Sequence, residues 1–519
     1  MDRQLVHTAI RSAAMGNPLR PAIRCPERTF TNDDMLRGID AIAELLIVEG
    51  IRKGDPVLVR IGDPALFLLS VYAVMRAGAV AVPLSAETPG PRVAAVARRC
   101  TPEALLTTRH DLTLHPVLGD LLHCPFMHAD AALGERREES EPSGRLDEPA
   151  AGGIDRITTM MDIGGDDEAL LCFPAEEEGE PAVVTHGQLV YAARFAGERE
   201  RLTAADTEYI ASPFWELPAI QRAVCLHAAG GSVETGSVPG SVTGLPEALL
   251  RQSSNGFFIT SDELAVLLET GADTFTPCRT SAVRIDIGIC TAPTDARALR
   301  DMFPEAEIYL HRDYPGVPYA TFLHLNEEPQ KFETVGKATG NLQLNIRNEQ
   351  GCLVSRPYYG EVVIRIPGQP GAPGRRRRNS LPPQWHGTGD IGYLDRDGYL
   401  HIIAQQFETI SVNGLRYSPL IMEEMVRSVF SDCEIGIVGV PDPTGELGEI
   451  PVFCYHPSNG TKITSADLTA LLSKDFAQYQ IPRIICRTAA FPRRGTVLMR
   501  RELRMRVQQA LSQSEQKMR

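Results

Sequence analysis

The stretch Leu170–Val190, LLCFPAEEEGEPAVVTHGQLV, has the layout of a loop that grips phosphate: an apolar strand, a turn carrying Gly179 and Pro181, then His186 leading into a helix. Loops that cradle a polyphosphate offer glycines, hydroxyls, backbone N–H groups and a lysine, because these donate hydrogen bonds and allow close approach. The centre of this loop is Glu176, Glu177 and Glu178, three acceptors with the same sign of charge as the ligand. Carboxylates can recruit a divalent cation, but no side chain here would then donate to the phosphates. Layout and chemistry contradict each other.

The elements that would hold such a loop are legible. Short Val/Ile-rich runs, PVLVRI, ALLTT, GSVETGSV, GFFIT, SAVRIDIGI and AEIYLHR, read as strands, with amphipathic helices between several of them, the signature of an α/β fold. The stretch from Ala65 to Leu84 is the most apolar in the chain, yet Arg76 and Gly78 divide it, which predicts a buried helix and a buried strand rather than a membrane span. From about residue 335 the pattern changes to paired alternating strands, and beyond DGYLHIIAQQFETISVNG a compact α+β pattern follows. Residues of about 129–157 are polar, acidic and punctuated by Gly and Pro, an expected surface connection.

Composition narrows the function classes. A formal net charge of -14 argues against nucleic acid or an anionic membrane as partner, since both need a basic excess. The run Arg375–Arg378 lies in a Gly/Pro-rich setting and reads as a solvated loop or as a docking patch for an acidic partner. Eleven cysteines, without a C-x-x-C pair, read as reduced thiols and predict a cytoplasmic protein, and the first twenty residues lack the apolar core of a secretory signal.

Several segments in order, GDPVLVRIGDPALFLLSVYAVMRAGAVAVPLS, LPEALLRQSSNGFFIT, TAPTDARALRDMFPEAEIYL, GEVVIRIPG, WHGTGDIGYLDRDGYLHI and VNGLRYSPLIMEEMV, together resemble the adenylate-forming superfamily of acyl- and aryl-CoA ligases and peptide-synthetase adenylation domains. The resemblance spans nearly the whole chain. It implies an α/β fold with a large N-terminal domain, residues 1–403, of two sheet lobes plus a β-barrel, and a small α+β C-terminal domain, residues 404–519, turning on a hinge at AQQFE. It also implies ATP, Mg²⁺ and CoA as cofactors, with a small carboxylic acid or acyl thioester and CoA or a carrier protein as partners.

Carried over position by position, the resemblance keeps some residues and loses others. The phosphate loop falls on Pro174–Val184, with Ala182 in place of its lysine; the magnesium-binding Tyr-Gly-x-Thr-Glu falls on Arg312–Gly316, where Asp313 is a candidate displaced ligand; the adenine-side Gly-Gly-Ala-Pro falls on Cys290, Thr291, Ala292 and Pro293. Thr388, Gly389 and Asp390 match the ribose seat, although Asp390 also reads as a strand-end turn residue. Asp390 is expected at the mouth of a cleft, facing the loop Pro174–Pro181. The hinge positions are Gln405 and Phe407. Gly414 and Arg416 match the loop lining the pantetheine channel, or form a plain hairpin turn. In PRRGTVLMRREL the catalytic lysine position falls on Val497, and a frame shifted by three offers only Arg494 or Arg500, which are not equivalent to lysine. Trp215 matches an acyl-pocket aromatic or is a core residue, and His186 reads as helix-start structure.

These substitutions predict an acid–CoA ligase-like protein that is catalytically impaired for adenylation, without a catalytic lysine or a magnesium site, binds ATP weakly or not at all, and serves as an acyl- or partner-binding homologue. Two alternatives stay open: an active ATP-dependent acyl/aryl-CoA or carrier-protein ligase with an atypical ATP site, and an ATP-independent acyl-thioester enzyme.

Overall fold

The apolar stretch divided by Arg76 and Gly78 folds, in a computed structural model of the chain, as a helix over Pro64–Arg76 and a fully buried strand over Val80–Leu84. Asp63 starts the helix by accepting from the Leu66 backbone N–H at 2.7 Å, and Pro64 stands at the first turn, where a missing N–H costs nothing. The structure describes residues 5–114, 118, 122, 124–132, 162–173, 181–236, 254–260, 263–264, 267–268, 282–286, 293–314, 316–348, 352–354, 360–365, 385–405, 410–412, 415–417, 419–442, 448–457, 462–474, 476–494, 497–498 and 500–518, a few of them by backbone alone. Among the described residues no helix is long and apolar enough to cross a membrane.

The chain divides into two compact units, one of residues 1–286 and 298–320, the other of residues 287–297 and 321–519. In the first, a six-stranded sheet runs in the order Phe126–His128, Ala104–Thr107, Pro56–Arg60, Val80–Leu84, Glu168–Cys172, Ala182–Thr185. Its strands are parallel except the last, which returns antiparallel to Glu168–Cys172 with Cys172 opposite Ala182. A second sheet of the same unit places Glu307–Tyr314, Ala282–Asp286, Gly256–Thr260, Thr207–Ile210, Ser232–Glu234, Pro21–Arg24 and Thr29–Thr31 side by side. All the short runs read as strands lie in these two sheets, parallel to their neighbours where a helical crossover intervenes, as βαβ geometry requires.

The strand Val317–His324 carries the chain into the second unit. There a five-stranded antiparallel sheet is formed by Leu353–Val354, Gln343–Arg347, Gly360–Arg365, His386–Leu394 and Leu400–Gln405. A three-stranded sheet, Cys433–Pro441, Glu449–Pro457 and Ile484–Arg487, packs with the helices Leu420–Val429 and Ser465–Leu472 over a core of Ile410, Met422, Val426, Ile437 and Phe453. The boundary expected after residue 403 lies inside this unit, and 406–409 lie outside the described residues. So do 133–161, which hold most of the acidic connection that starts in the short helix Ala129–Ala132, and Arg375–Arg378.

Candidate functional site

The opening stretch builds a hairpin and a helix. Glu168–Cys172 and Ala182–Thr185 are its two strands, and 174–180, with the three glutamates, lie outside the described residues. The helix His186–Arg199 starts where the sequence puts it, because Thr185 and Gln188 form a reciprocal capping box: the Gln188 N–H donates to Thr185 Oγ1 at 3.3 Å and the Thr185 N–H to Gln188 Oε1 at 2.7 Å. His186 is completely buried, neither ring nitrogen has a hydrogen-bond partner among the described residues, and burial pushes its pKa down to about 4. It is a neutral packing residue at the helix start.

The turn that follows Glu307–Tyr314 meets this helix start. A Cβ placed on Gly316 would lie 3.3 Å from Gln188 Nε2 and from the Val183 carbonyl oxygen, so the turn lies against the strand leaving the loop. Gly316, where the resemblance sets the magnesium-binding glutamate, has φ +72°. That backbone conformation suits glycine and opposes an L side chain.

Asp313, the displaced candidate, is already engaged. Its Oδ1 accepts from the Tyr319 N–H at 2.7 Å and contacts His311 Nδ1 at 3.1 Å, and its Oδ2 accepts from Gln221 Nε2. Beside it lies a buried ionic cluster that sequence reasoning missed. The Arg222 guanidinium donates to Glu208 through Nε at 2.7 Å and Nη2 at 2.8 Å, to Glu200 through Nη1 at 2.7 Å, and to the Tyr319 hydroxyl at 3.0 Å. All four residues are 0–3% exposed. Burial opposes the charge on Arg222, but the two carboxylates raise its pKa well above the ordinary value. Tyr319 itself is held at φ +48°, a left-handed conformation that costs a bulky residue about 1–3 kcal/mol and persists only where its surroundings enforce it. The available signals were a charged residue inside the apolar helix Leu217–Ala228 and a glutamate in the buried strand Thr207–Ile210. Trp215, just before that helix, is half-buried, between the pocket and the core readings.

In the second unit the ribose-seat segment lies in His386–Leu394. Gly389 adopts φ +79°, and around it Thr388 Oγ1 donates to the Val362 carbonyl at 2.8 Å and accepts from the Asp390 N–H at 3.1 Å. Asp390 is 1% exposed and stands opposite Gln405 in the strand register, so the ribose and hinge positions are neighbours across one strand pair. Gly414 and the Arg416 side chain lie outside the described residues.

Val497 lies in a short hairpin with Arg494, whose side chain, like that of Val497, lies outside the described residues. Arg500 opens the helix Arg500–Met518 and spends its guanidinium on Glu423, donating from Nη1 and Nη2 at 2.6 Å each. Glu423, fully buried, also accepts from the Ile437 N–H at 2.6 Å. Arg500 is thus a bidentate structural partner rather than a mobile cation that could replace lysine.

A magnesium–triphosphate needs a carboxylate for the metal and cationic donors for the phosphates. Of the candidates for those roles among the described residues, both Asp313 oxygens already have partners and Arg500 is committed to Glu423, while the loop 174–180 lies outside the described residues.

Comparison with known proteins gives the lineage of this arrangement. The chain is 25% identical over 520 residues to a feruloyl-CoA synthase of an Amycolatopsis species, covering 96% of this chain and 98% of that protein. It is 24% identical to an oxalate–CoA ligase of Arabidopsis thaliana, covering 89% and 90%. Its fold matches o-succinylbenzoate CoA synthetase of Bacillus subtilis, solved with the acyl-adenylate OSB-AMP, at a TM-score of 0.72 and 19% identity over 95% and 97% of the two chains. The mixed α/β architecture with a larger N-terminal and a smaller C-terminal domain is therefore that of the adenylate-forming enzymes. The profile of the AMP-binding enzymes matches residues 10–369, and the chain with its altered motif positions belongs to that family.

Proposed function

We propose that this acid–CoA ligase-like family member has lost adenylation and acts as a binding homologue for a small carboxylic acid or its acyl thioester, with CoA or a carrier protein as the second partner. The observation that carries the reading is that two of the residues considered as replacements, Asp313 for the metal ligand and Arg500 for the lysine, are both committed to structural hydrogen bonds. The three glutamates of the loop and Ala182 point the same way from residue type. The named relatives, a feruloyl-CoA synthase and an oxalate–CoA ligase, support the acid and CoA partner class. Asp390, Thr388, Gly389, Gly414 and Arg416 remain the residues proposed to line what is kept of the nucleotide and pantetheine seats, and residues 404–519 the lid, turning at Gln405 and Phe407.

The test is titration calorimetry of the full chain with ATP and Mg²⁺, and separately with aryl and short-chain acyl-CoAs, beside acid-dependent pyrophosphate exchange. Binding of an acyl-CoA without nucleotide binding or exchange supports the proposal. Acid-dependent exchange refutes it in favour of an active ligase with an atypical site. Turnover of a preformed thioester without ATP refutes it in favour of an ATP-independent enzyme.

A further inference from the structure

Two of the thiols stand apart from the rest. In the three-stranded sheet, Glu449–Pro457 and Ile484–Arg487 are parallel neighbours, and their register sets Cys454 directly opposite Cys486. Residues so paired project from the same face of the sheet, with strands about 4.8 Å apart. That separation lies inside the roughly 4.4–6.8 Å range of Cα distances that a disulfide spans. The shared face is the one covered by Phe491, Leu503 and Val507, with Cys486 and Leu498 at its margin. Cys454 is fully buried and Cys486 is partly exposed, and both are reduced. One thiol of the pair can therefore meet a solute, and the other is shielded behind it.

We propose that Cys486 and Cys454 form a peroxide-responsive thiol pair, Cys486 reacting first and Cys454 resolving it into a disulfide between the two strands. The Cys486 thiolate attacks one oxygen of a hydroperoxide, the O–O bond breaks, and Cys486 becomes a sulfenic acid as hydroxide (or alkoxide) leaves and takes a proton. The Cys454 sulfur then attacks the Cys486 sulfur, the S–O bond breaks, and the Cys454 proton leaves with the oxygen as water. Two thiols have lost two electrons and the peroxide has gained them.

The electrostatics of the pair suit these roles. The Cys454 thiol donates to the Cys486 sulfur, and this holds Cys486 below the ordinary thiol range, while the same bond and then burial push Cys454 up. The contrast with other cysteines is sharp: burial raises Cys25 and Cys100 to about 11 and Cys172 to about 12, so those thiols stay protonated and inert. Strand Ile484–Arg487 leads directly into the Arg493–Leu498 hairpin that carries Val497, so the linkage would fasten the strand from which that hairpin departs.

The experiment uses the full-length, fully reduced protein exposed to stoichiometric hydrogen peroxide, quenched with N-ethylmaleimide and mapped by peptide mass spectrometry. The expected result is a Cys454–Cys486 linked peptide, two hydrogens lighter than its parts and cleaved by dithiothreitol. It should form before the exposed Cys352 is oxidised to any comparable extent. Cys454→Ser should leave Cys486 as a sulfenic acid captured by dimedone, and Cys486→Ser should remove the fast phase. Preferential oxidation of Cys352 with the pair unchanged, or stepwise over-oxidation of Cys486 without a linked peptide in the wild-type chain, would overturn the proposal. The wild-type measurement decides even where a variant folds poorly.

Discussion

Replacing Arg222 by Met tests whether the buried ionic cluster organises the turn beside the loop. Arg222, Glu208 and Glu200 are all buried, and three charge-assisted bonds of 2.7–2.8 Å join them. Methionine fills most of the volume but leaves two carboxylates without their counter-ion, and breaking a buried pair in this way costs about 3–5 kcal/mol. That is a large part of the roughly 5–15 kcal/mol that holds a domain folded. The loss also reaches the site, because the neighbouring Gln221 holds Asp313 from the same helix, and Tyr319 loses a bond that helps to keep its strained backbone. The expected outcome in urea is an earlier unfolding transition, with faster hydrogen exchange in Thr207–Ile210 and Val317–Ala320. The triple variant Arg222→Met, Glu208→Leu, Glu200→Leu should recover most of the loss, since a hydrophobic replacement of a whole buried ionic cluster is close to neutral or stabilising. An Arg222→Met protein that unfolds with the wild type, or a triple variant no better than the single one, would refute the reasoning.

Three further outcomes follow from individual residues. His186, held near 4 by burial against 6.5 when unfolded, refuses a proton that the unfolded chain takes up, so stability falls as pH drops from 6.5 to 4, by about 3 kcal/mol at the lower end. His227 does the same in the same window, so His186→Asn should remove about half of the slope that these two groups give a denaturation series across it, and an unchanged slope would count against the burial argument. Arg60 is completely buried, its Nη2 donates to the Ala86 carbonyl, and burial lowers its pKa despite the charge of Asp111, so Arg60→Met, which leaves buried Asp111 without that charge, should lower stability by about 1–3 kcal/mol, read as an earlier transition in urea. Exchanging the loop for TSGTTGKPKG together with Val497→Lys should improve ATP binding by roughly 10- to 100-fold in calorimetry, the worth of about 1.5–3 kcal/mol from a charge-assisted bond.

Local chemistry made part of this architecture legible in the sequence. The apolar strand before the loop, the helix start at His186 after it, and the Arg76–Gly78 interruption each have a short-range physical cause, and each appears where expected. The DRDGYL turn is of the same kind: Asp395 accepts from the Asp397 and Tyr399 N–H groups at 2.9 Å, and Lys331 donates to both Asp395 and Asp397. The Arg222 cluster was hidden because its members come from a helix end, a strand, a second helix and a strand far along the chain, and no spacing rule connects them. Asp313 was misleading for the same reason. Its residue type suits a metal, and only the fold shows that three donors have claimed it.

The motif residues that match the family and those that do not differ in what their side chains do for the fold. Thr388, which matches, bonds the neighbouring strand, and nearby Asp395 closes a turn; Glu423 is likewise held, by Arg500, inside the second unit. Removing any of these leaves a polar or charged group buried without its partner, a cost of about 1–5 kcal/mol that falls on folding whether or not the protein catalyses anything. On the proposed reading, a lysine that serves only phosphates contributes little to folding, so Ala182 and Val497, at the positions where the resemblance sets those lysines, would be tolerated. A chain that still needs its scaffold and a pocket, but not adenylation, would show this division: internally bonded positions intact, and phosphate-facing positions changed to residues of any charge, Glu176, Glu177 and Glu178 among them. An active ligase with a relocated site would instead need a new metal ligand and a new cation, and the candidates Asp313 and Arg500 are both held by hydrogen bonds within their own units.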